Sequence, residues 1–173
     1  MSGAGAHDLN ALMLRPPALS LAMAESMTCG LLQDRVGAIS GASAFFRGGI
    51  TAYTIDQKVR HLGVDRAAAA ACDCVSADVA GQMALGACTL FDSDVAVATT
   101  GYAEPSAAPP IAHPYAWWAI AFRGGSGASV VRSGRIDCPG AGRNEARERV
   151  ASGAMDALAD WLRTLSASGP SRT

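Results

Sequence analysis

Ser26 stands at the end of a largely apolar run, Leu19–Ala24, with Glu25 before it and Thr28, Cys29 and Gly30 just after. Leu31 and Leu32 then resume apolar spacing of helical period. A strand that ends in small polar residues and turns into a helix offers side chains on a rigid edge beside unpaired helical N–H groups. A serine there can attack a carbonyl if its weak hydroxyl is activated, and N–H groups near Thr28–Gly30 can receive the oxyanion. The plainer reading makes Ser26 a helix cap or a buried polar spacer, and Thr28 is open to the same two readings.

An activating base is the next requirement. His7, His61 and His113 suggest none: His61 falls in a short helical stretch and His113 in a proline-rich loop. Lys58 is the chain's single lysine and follows Tyr53 in the segment Tyr53–Lys58. A neutral lysine can serve as base, directly or through a tyrosine. The competing reading is a solvated charge on a short helix. Arg143, Arg147 and Arg149 open the last helix, where cations oppose the helix dipole unless an anion compensates. Guanidinium groups there fit a phosphate, and Glu145 and Glu148 are the local alternative partners. Glu25 can orient backbone or ligand groups, and if buried it needs partners. Thr100 and Gly101 end a second predicted strand, where open α/β sheets collect ligands.

These residues need a framework. The chain has 173 residues, 50% of them apolar and 17% charged, with a net charge of −1. That is a one-domain composition with a large core, and it lacks the basic face of a nucleic-acid binder. No apolar run reaches the ~18 residues of a membrane span, and no secretory leader is evident, so a cytoplasmic protein is expected. Five cysteines, an odd number, read as free thiols. No spacing suggests a metal, and no cofactor is expected.

Strands are expected at Leu19–Ala24, around Phe45–Tyr53, and at Asp94–Thr99, Tyr115–Phe122 and Ala128–Arg135, the last two joined by a turn at Gly124–Gly127. Asn10–Leu14 is expected to finish a short helix, and helices are expected at Thr28–Ile39, Asp56–Leu62, Ala67–Ala71, from Ser76 to about Leu90, and from Asn144 to about Leu165. Ser76 is a candidate N-cap and Gly63 a helix stop. Tyr102–Pro114 reads as a loop. The fold class is α/β, a three-layer α/β/α sandwich with a mixed, mostly parallel central sheet. Residues 1–17 are expected to be an extension or partial helix, 18–165 a single domain and 166–173 a polar tail.

Taken together the motifs resemble the C-terminal domain family of the competence/damage-inducible protein CinA. Ala24-Glu25-Ser26-Met27-Thr28-Cys29-Gly30 resembles the family's A-E-S-C-T-G-G. Gly49, Tyr53 and Lys58, followed by Leu62-Gly63-Val64, match its glycine-rich strand, tyrosine and lysine. Cys74–Gly86 resembles A-V-S-x-x-V-A-x-x-M-A-x-G, Thr100–Pro105 resembles T-G-I-A-G-P, and the stretch with Arg143 and Arg147 resembles G-x-R-x-x-V-R. The resemblance spans about Leu19 to Leu162. Stand-alone members of that family include nicotinamide-nucleotide amidases, which convert nicotinamide mononucleotide to nicotinic acid mononucleotide and ammonia.

The resemblance implies that Ser26 is the nucleophile and Lys58 with Tyr53 its activator. It implies a ligand set of Glu25, Thr28, Gly30, Thr100, Gly101, Arg143 and Arg147, with Arg143 at the phosphate. It also implies a homo-oligomer, with a dimer favoured, and Trp117 and Trp118 suggest apolar surface for such a contact. The chain departs from the family at Met27, Cys29, Ile55, Glu104 and the two indoles. Glu104 replaces a glycine and brings negative charge to a place suited to an anionic nucleotide. Three readings stand open: a nicotinamide-nucleotide amidase, an amidohydrolase with a shifted substrate, and a non-catalytic binding protein on the same scaffold.

Overall fold

A computed structural model describes residues 3–125 and 127–167 of the chain. Five strands form one sheet in the order β2-β1-β3-β4-β5, where β1 is Leu21–Glu25, β2 Phe46–Thr51, β3 Val95–Tyr102, β4 Tyr115–Gly124 and β5 Gly127–Asp137. Among the described residues six α-helices flank it: α1 Gly3–Leu14, α2 Leu31–Gly37, α3 Ile55–Leu62, α4 Arg66–Ala71, α5 Ala77–Leu90 and α6 Arg143–Ala167. The three-layer mixed architecture is as expected, but the sheet is not mostly parallel. β1 runs parallel to β2 and β3, while β4 is antiparallel to both β3 and β5. The reason lies in the connections. Parallel neighbours need a crossover, and helices supply one on either side of β1. The segment between β3 and β4 holds no helix, so the chain returns antiparallel.

Strand alternation sorts the core by size. Leu21, Met23, Val95, Val97 and Ile120 face α1, α2 and α6. Ala22, Ala24, Ala96, Ala98, Ala119 and Ala121 face α5 and the short helices. An alanine-paved face lets α5 lie close to the sheet, and its own inner residues Ala80, Ala84 and Ala87 are correspondingly small. Ser76 caps α5 by accepting from the Val79 N–H at 3.1 Å, and Gly63 ends α3 in the left-handed region at φ 65°.

Gly86 marks the closest approach on this side: a Cβ there would lie 2.0 Å from the Leu62 carbonyl oxygen. Gly86→Ala is therefore expected to destabilise the fold by about 2 kcal/mol, despite the ~1 kcal/mol that alanine gains over glycine in a helix. Urea denaturation reads this directly; an unchanged or raised midpoint would show that α3 yields freely.

Helix α1 runs from Gly3 to Leu14, ending where the sequence places a helix end, and its inner side chains join the core. Leu9, Leu12 and Met13 are buried with Leu158 and Leu162 of α6, and the Arg15 guanidinium donates to the Leu162 carbonyl. Helix α6 reaches Ala167; the rest of the expected tail, residues 168–173, and Ser126 in the β4–β5 turn lie outside the described residues. The two indoles are partly buried. Trp117 and Trp118 point to opposite faces of β4 and pack against the two cores, with Trp118 lying over Gly134, where a Cβ would come within 2.7 Å of the ring. No helix among the described residues is long and apolar enough to cross a membrane.

Candidate active site

β1 ends at Glu25, and the chain turns sharply through Ser26–Gly30 into α2. Two features make this turn. Cys29 and Gly30 both take positive φ, 51° and 97°. Glycine does so freely, whereas cysteine is strained there, so Cys29 keeps a backbone shape better suited to glycine. Glu25 supplies the second feature. Its carboxylate is fully buried and accepts from the Thr28 hydroxyl at 2.7 Å and from the N–H groups of Gly30, Leu32 and Gln33 at 2.9, 3.1 and 2.9 Å. The Gln33 side-chain amide adds another bond at 3.1 Å. A carboxylate bound to the first amides of α2 neutralises the helix end from inside the protein.

Several candidate residues therefore serve the turn rather than a ligand. Glu25, Thr28 and Gly30 do not line the neighbouring cavity, and the amides at the start of α2 are occupied by Glu25 instead of being free for an oxyanion. Thr28 also shares a hydrogen bond with Thr99 at 2.7 Å. Arg147 lies behind the turn, donating to the carbonyls of Met27 at 3.2 Å and Thr28 at 3.0 Å. Of the amides in the turn, those of Met27, Thr28 and Cys29 have no acceptor among the described residues. Met27 itself lines the cavity.

The cavity, ≈ 760 Å³, opens between the ends of β1 and β3, the start of α3, the α4–α5 turn and the start of α6. Ser26 and Lys58 meet at its wall: Lys58 Nζ lies 2.9 Å from Ser26 Oγ. Lys58 comes from the first turn of α3 and is 1% exposed, so it is no solvated surface charge. Its Nζ also donates to the carbonyls of Ala52 at 2.9 Å and Tyr53 at 3.0 Å. Burial pushes the Lys58 pKa below the usual lysine value, against opposing effects of Cys74 and Asp73.

A neutral amine has two N–H bonds and one lone pair. Nζ has three partners here, the two carbonyls and the Ser26 hydroxyl; a neutral Lys58 would spend its N–H bonds on the carbonyls and turn its lone pair to the hydroxyl. Tyr53 contributes its carbonyl to this cluster, not a phenol between Ser26 and Lys58. Its ring is half-exposed, and its hydroxyl accepts from Arg143 at 3.2 Å.

The remaining candidates also line the cavity. Thr100 is buried and donates to the Cys74 carbonyl at 2.7 Å, fixing the α4–α5 turn in which Asp73 and Cys74 both have positive φ, 49° and 61°. Gly101 is needed for close packing, since a Cβ there would lie 2.3 Å from the Tyr115 carbonyl oxygen. Arg143 forms a 2.7 Å ion pair with Glu104. Asp73 lines the cavity as well and accepts from the Tyr102 hydroxyl at 2.9 Å, which helps push the Tyr102 pKa up, after burial. Sequence reasoning missed Asp73; its one local signal was an aspartate, a residue tolerant of left-handed backbone, in a segment between two helices.

In this three-layer α/β/α domain a serine at the end of an inner strand is touched by a buried lysine. The chain belongs to the CinA C-terminal domain family, whose model matches residues 6–162. It is 40% identical over 161 residues to a CinA-like protein of Gemmatimonas aurantiaca, covering 90% of this chain and 36% of that protein. It is also 40% identical over 156 residues to a CinA-like protein of Geobacter sulfurreducens, covering 88% and 35%. The chain thus spans about a third of the length of these relatives. Among solved structures, it superposes on a CinA superfamily protein of Klebsiella pneumoniae with a TM-score of 0.80 at 27% identity, covering 92% of this chain and 96% of that one. The competence/damage inducible protein CihA of Agrobacterium tumefaciens gives 0.75 at 29% identity, covering 94% and 98%.

Proposed function

We propose that this domain is an amidohydrolase in which Ser26 is the nucleophile and neutral Lys58 its general base, acting on a small carboxamide. The family resemblance makes nicotinamide mononucleotide the first substrate to test, with nicotinic acid mononucleotide and ammonia as products. The observation that carries the reading is the contact of Ser26 Oγ with an amine whose other hydrogen bonds go to two carbonyls.

In this scheme Lys58 takes the Ser26 proton as Oγ bonds to the carboxamide carbon. The oxyanion is received by the open turn amides, with Met27 the first candidate. The proton then passes from Lys58 to the departing nitrogen, the C–N bond breaks and ammonia leaves. Water attacks the resulting ester, giving its proton to Lys58; collapse returns that proton to Oγ and frees the carboxylate. Ammonia release from nicotinamide mononucleotide, measured beside the Ser26→Ala protein, tests the proposal. Release that persists in Ser26→Ala removes the serine mechanism, and binding without turnover identifies a binding protein.

The base must be neutral, so kcat/KM is expected to rise with pH along a limb set by Lys58, below the usual lysine range. Asp73 favours the ammonium form, so Asp73→Asn is expected to move that limb to lower pH. A limb moving the other way would contradict the placement of Lys58 as base. The same shift has a sign in stability. Between the depressed pKa and the ordinary one the unfolded chain binds more protons, so stability rises with pH through that window and is lower beneath it.

A further inference from the structure

Three segments meet at the mouth of the cavity. Tyr53 comes from the link between β2 and α3, Glu104 from the β3–β4 loop and Arg143 from the first residue of α6. The Arg143 guanidinium donates to the Glu104 carboxylate at 2.7 Å and to the Tyr53 hydroxyl at 3.2 Å. Arg143 is the one arginine lining the cavity among the described residues, and the other basic side chain there, Lys58, is engaged by Ser26 Oγ and two backbone carbonyls. Asp73 and Glu104 are the acidic side chains of the wall. Glu104 offsets the charge of Arg143 at the mouth, and Asp73 adds a second carboxylate to the same wall.

We infer that Glu104 is a specificity-determining residue: its carboxylate holds the position at Arg143 that a substrate phosphate would take, so the cavity accepts a carboxamide on a neutral or cationic body and disfavours its phosphorylated counterpart. The inference rests on the assignment of this cavity as the amide-hydrolysing site. Breaking the Arg143–Glu104 pair is not itself the obstacle. Its side chains are 48% and 59% exposed, and such pairs contribute little. The obstacle is charge repulsion. A phosphate that takes Arg143 leaves the Glu104 carboxylate alongside a dianion, with Asp73 on the same wall, and like charges brought together at a binding surface oppose association. A pyridinium carboxamide without phosphate brings no anion to Glu104 and escapes that repulsion.

The test uses the Ser26→Ala protein, so that binding is read without turnover, and the matched pair of nicotinamide mononucleotide and its dephosphorylated nucleoside. Calorimetry is expected to give tighter binding of the nucleoside by about tenfold, the order of one like-charge contact in a partly screened site. Adding Glu104→Gln is expected to strengthen nucleotide binding about tenfold and to erase the preference. Equal or tighter binding of the nucleotide by the protein with Glu104 intact overturns the inference. So does a Glu104→Gln change that leaves the ratio where it was, or failure of both ligands to bind up to their solubility limits. Ammonia release is scored separately with Ser26 in place. A binding preference that holds while neither compound is hydrolysed sinks the hydrolase reading and leaves the role of Glu104 supported.

Discussion

Lys58→Met is expected to lower ammonia release by about a thousandfold or more while the protein stays folded. General-base catalysis accounts for roughly 10²- to 10⁴-fold, and a serine with no base is a weak nucleophile. A thousandfold loss corresponds to about 4 kcal/mol of transition-state stabilisation. The effect on folding has two opposing parts. Removing the amine leaves the carbonyls of Ala52 and Tyr53 and the hydroxyl of Ser26 without their Nζ partner. Unpaired buried acceptors cost about 1–3 kcal/mol. Against this, methionine nearly preserves the volume and no longer places an amine in a site that disfavours its charge. The net loss is then about 2 kcal/mol or less, which a domain of ordinary stability tolerates. Thermal melting and ammonia release on one preparation separate the two effects. A collapsed melt would make Lys58 chiefly structural; a folded variant with near-full release would remove it from the mechanism.

Glu25→Gln is expected to be the most damaging conservative change to the fold. Five donors converge on the carboxylate: the Thr28 hydroxyl, three amides of the turn and α2, and the Gln33 side chain. A glutamine keeps one acceptor oxygen and turns an NH₂ group toward N–H groups that can only donate. At least one helical amide is then buried without a partner and another meets a donor head-on. The expected cost is about 3–5 kcal/mol, or roughly a 10 °C fall in melting temperature for a domain of this size. Ser26 is the next residue, so release of ammonia should fall as well, even in the fraction that remains folded. A melt within about 2 °C of the parent would show that the turn holds its shape without the carboxylate.

What could be read from the sequence, and what could not, divides along physical lines. Ser76 and Gly63 announced their helix ends because capping is a local matter of one side chain or one φ angle. The short apolar run within Asp94–Thr99, closed by Thr100 and Gly101, has the length of a buried strand. Ser26 and Lys58 drew notice because each is chemically odd in its setting, a hydroxyl at a strand end and the single lysine of the chain. Their 2.9 Å contact depends on how α3 docks beside β1, which no local pattern encodes. The same limit explains the residues read as ligand contacts that turned inward. Glu25, Thr28 and Arg147 have the right chemistry for a ligand, but polar side chains satisfy a tight turn with the same groups. Only three-dimensional placement tells which demand they meet. The hairpin of β4 and β5 is antiparallel as its short turn implies, but the sheet is not mostly parallel, because the helix-free segment before Tyr115 also sets β4 antiparallel to β3.

The central claim is that Ser26 carries the acyl group during turnover, and it has a direct reading. Acid quenching of the protein during steady-state hydrolysis, followed by mass spectrometry of the peptide spanning Ser26, is expected to show that peptide heavier by the substrate acyl group. The added mass should be absent from Ser26→Ala and from protein without substrate. Steady ammonia release with the Ser26 peptide always unmodified, and with Ser26→Ala equally active, would contradict the account.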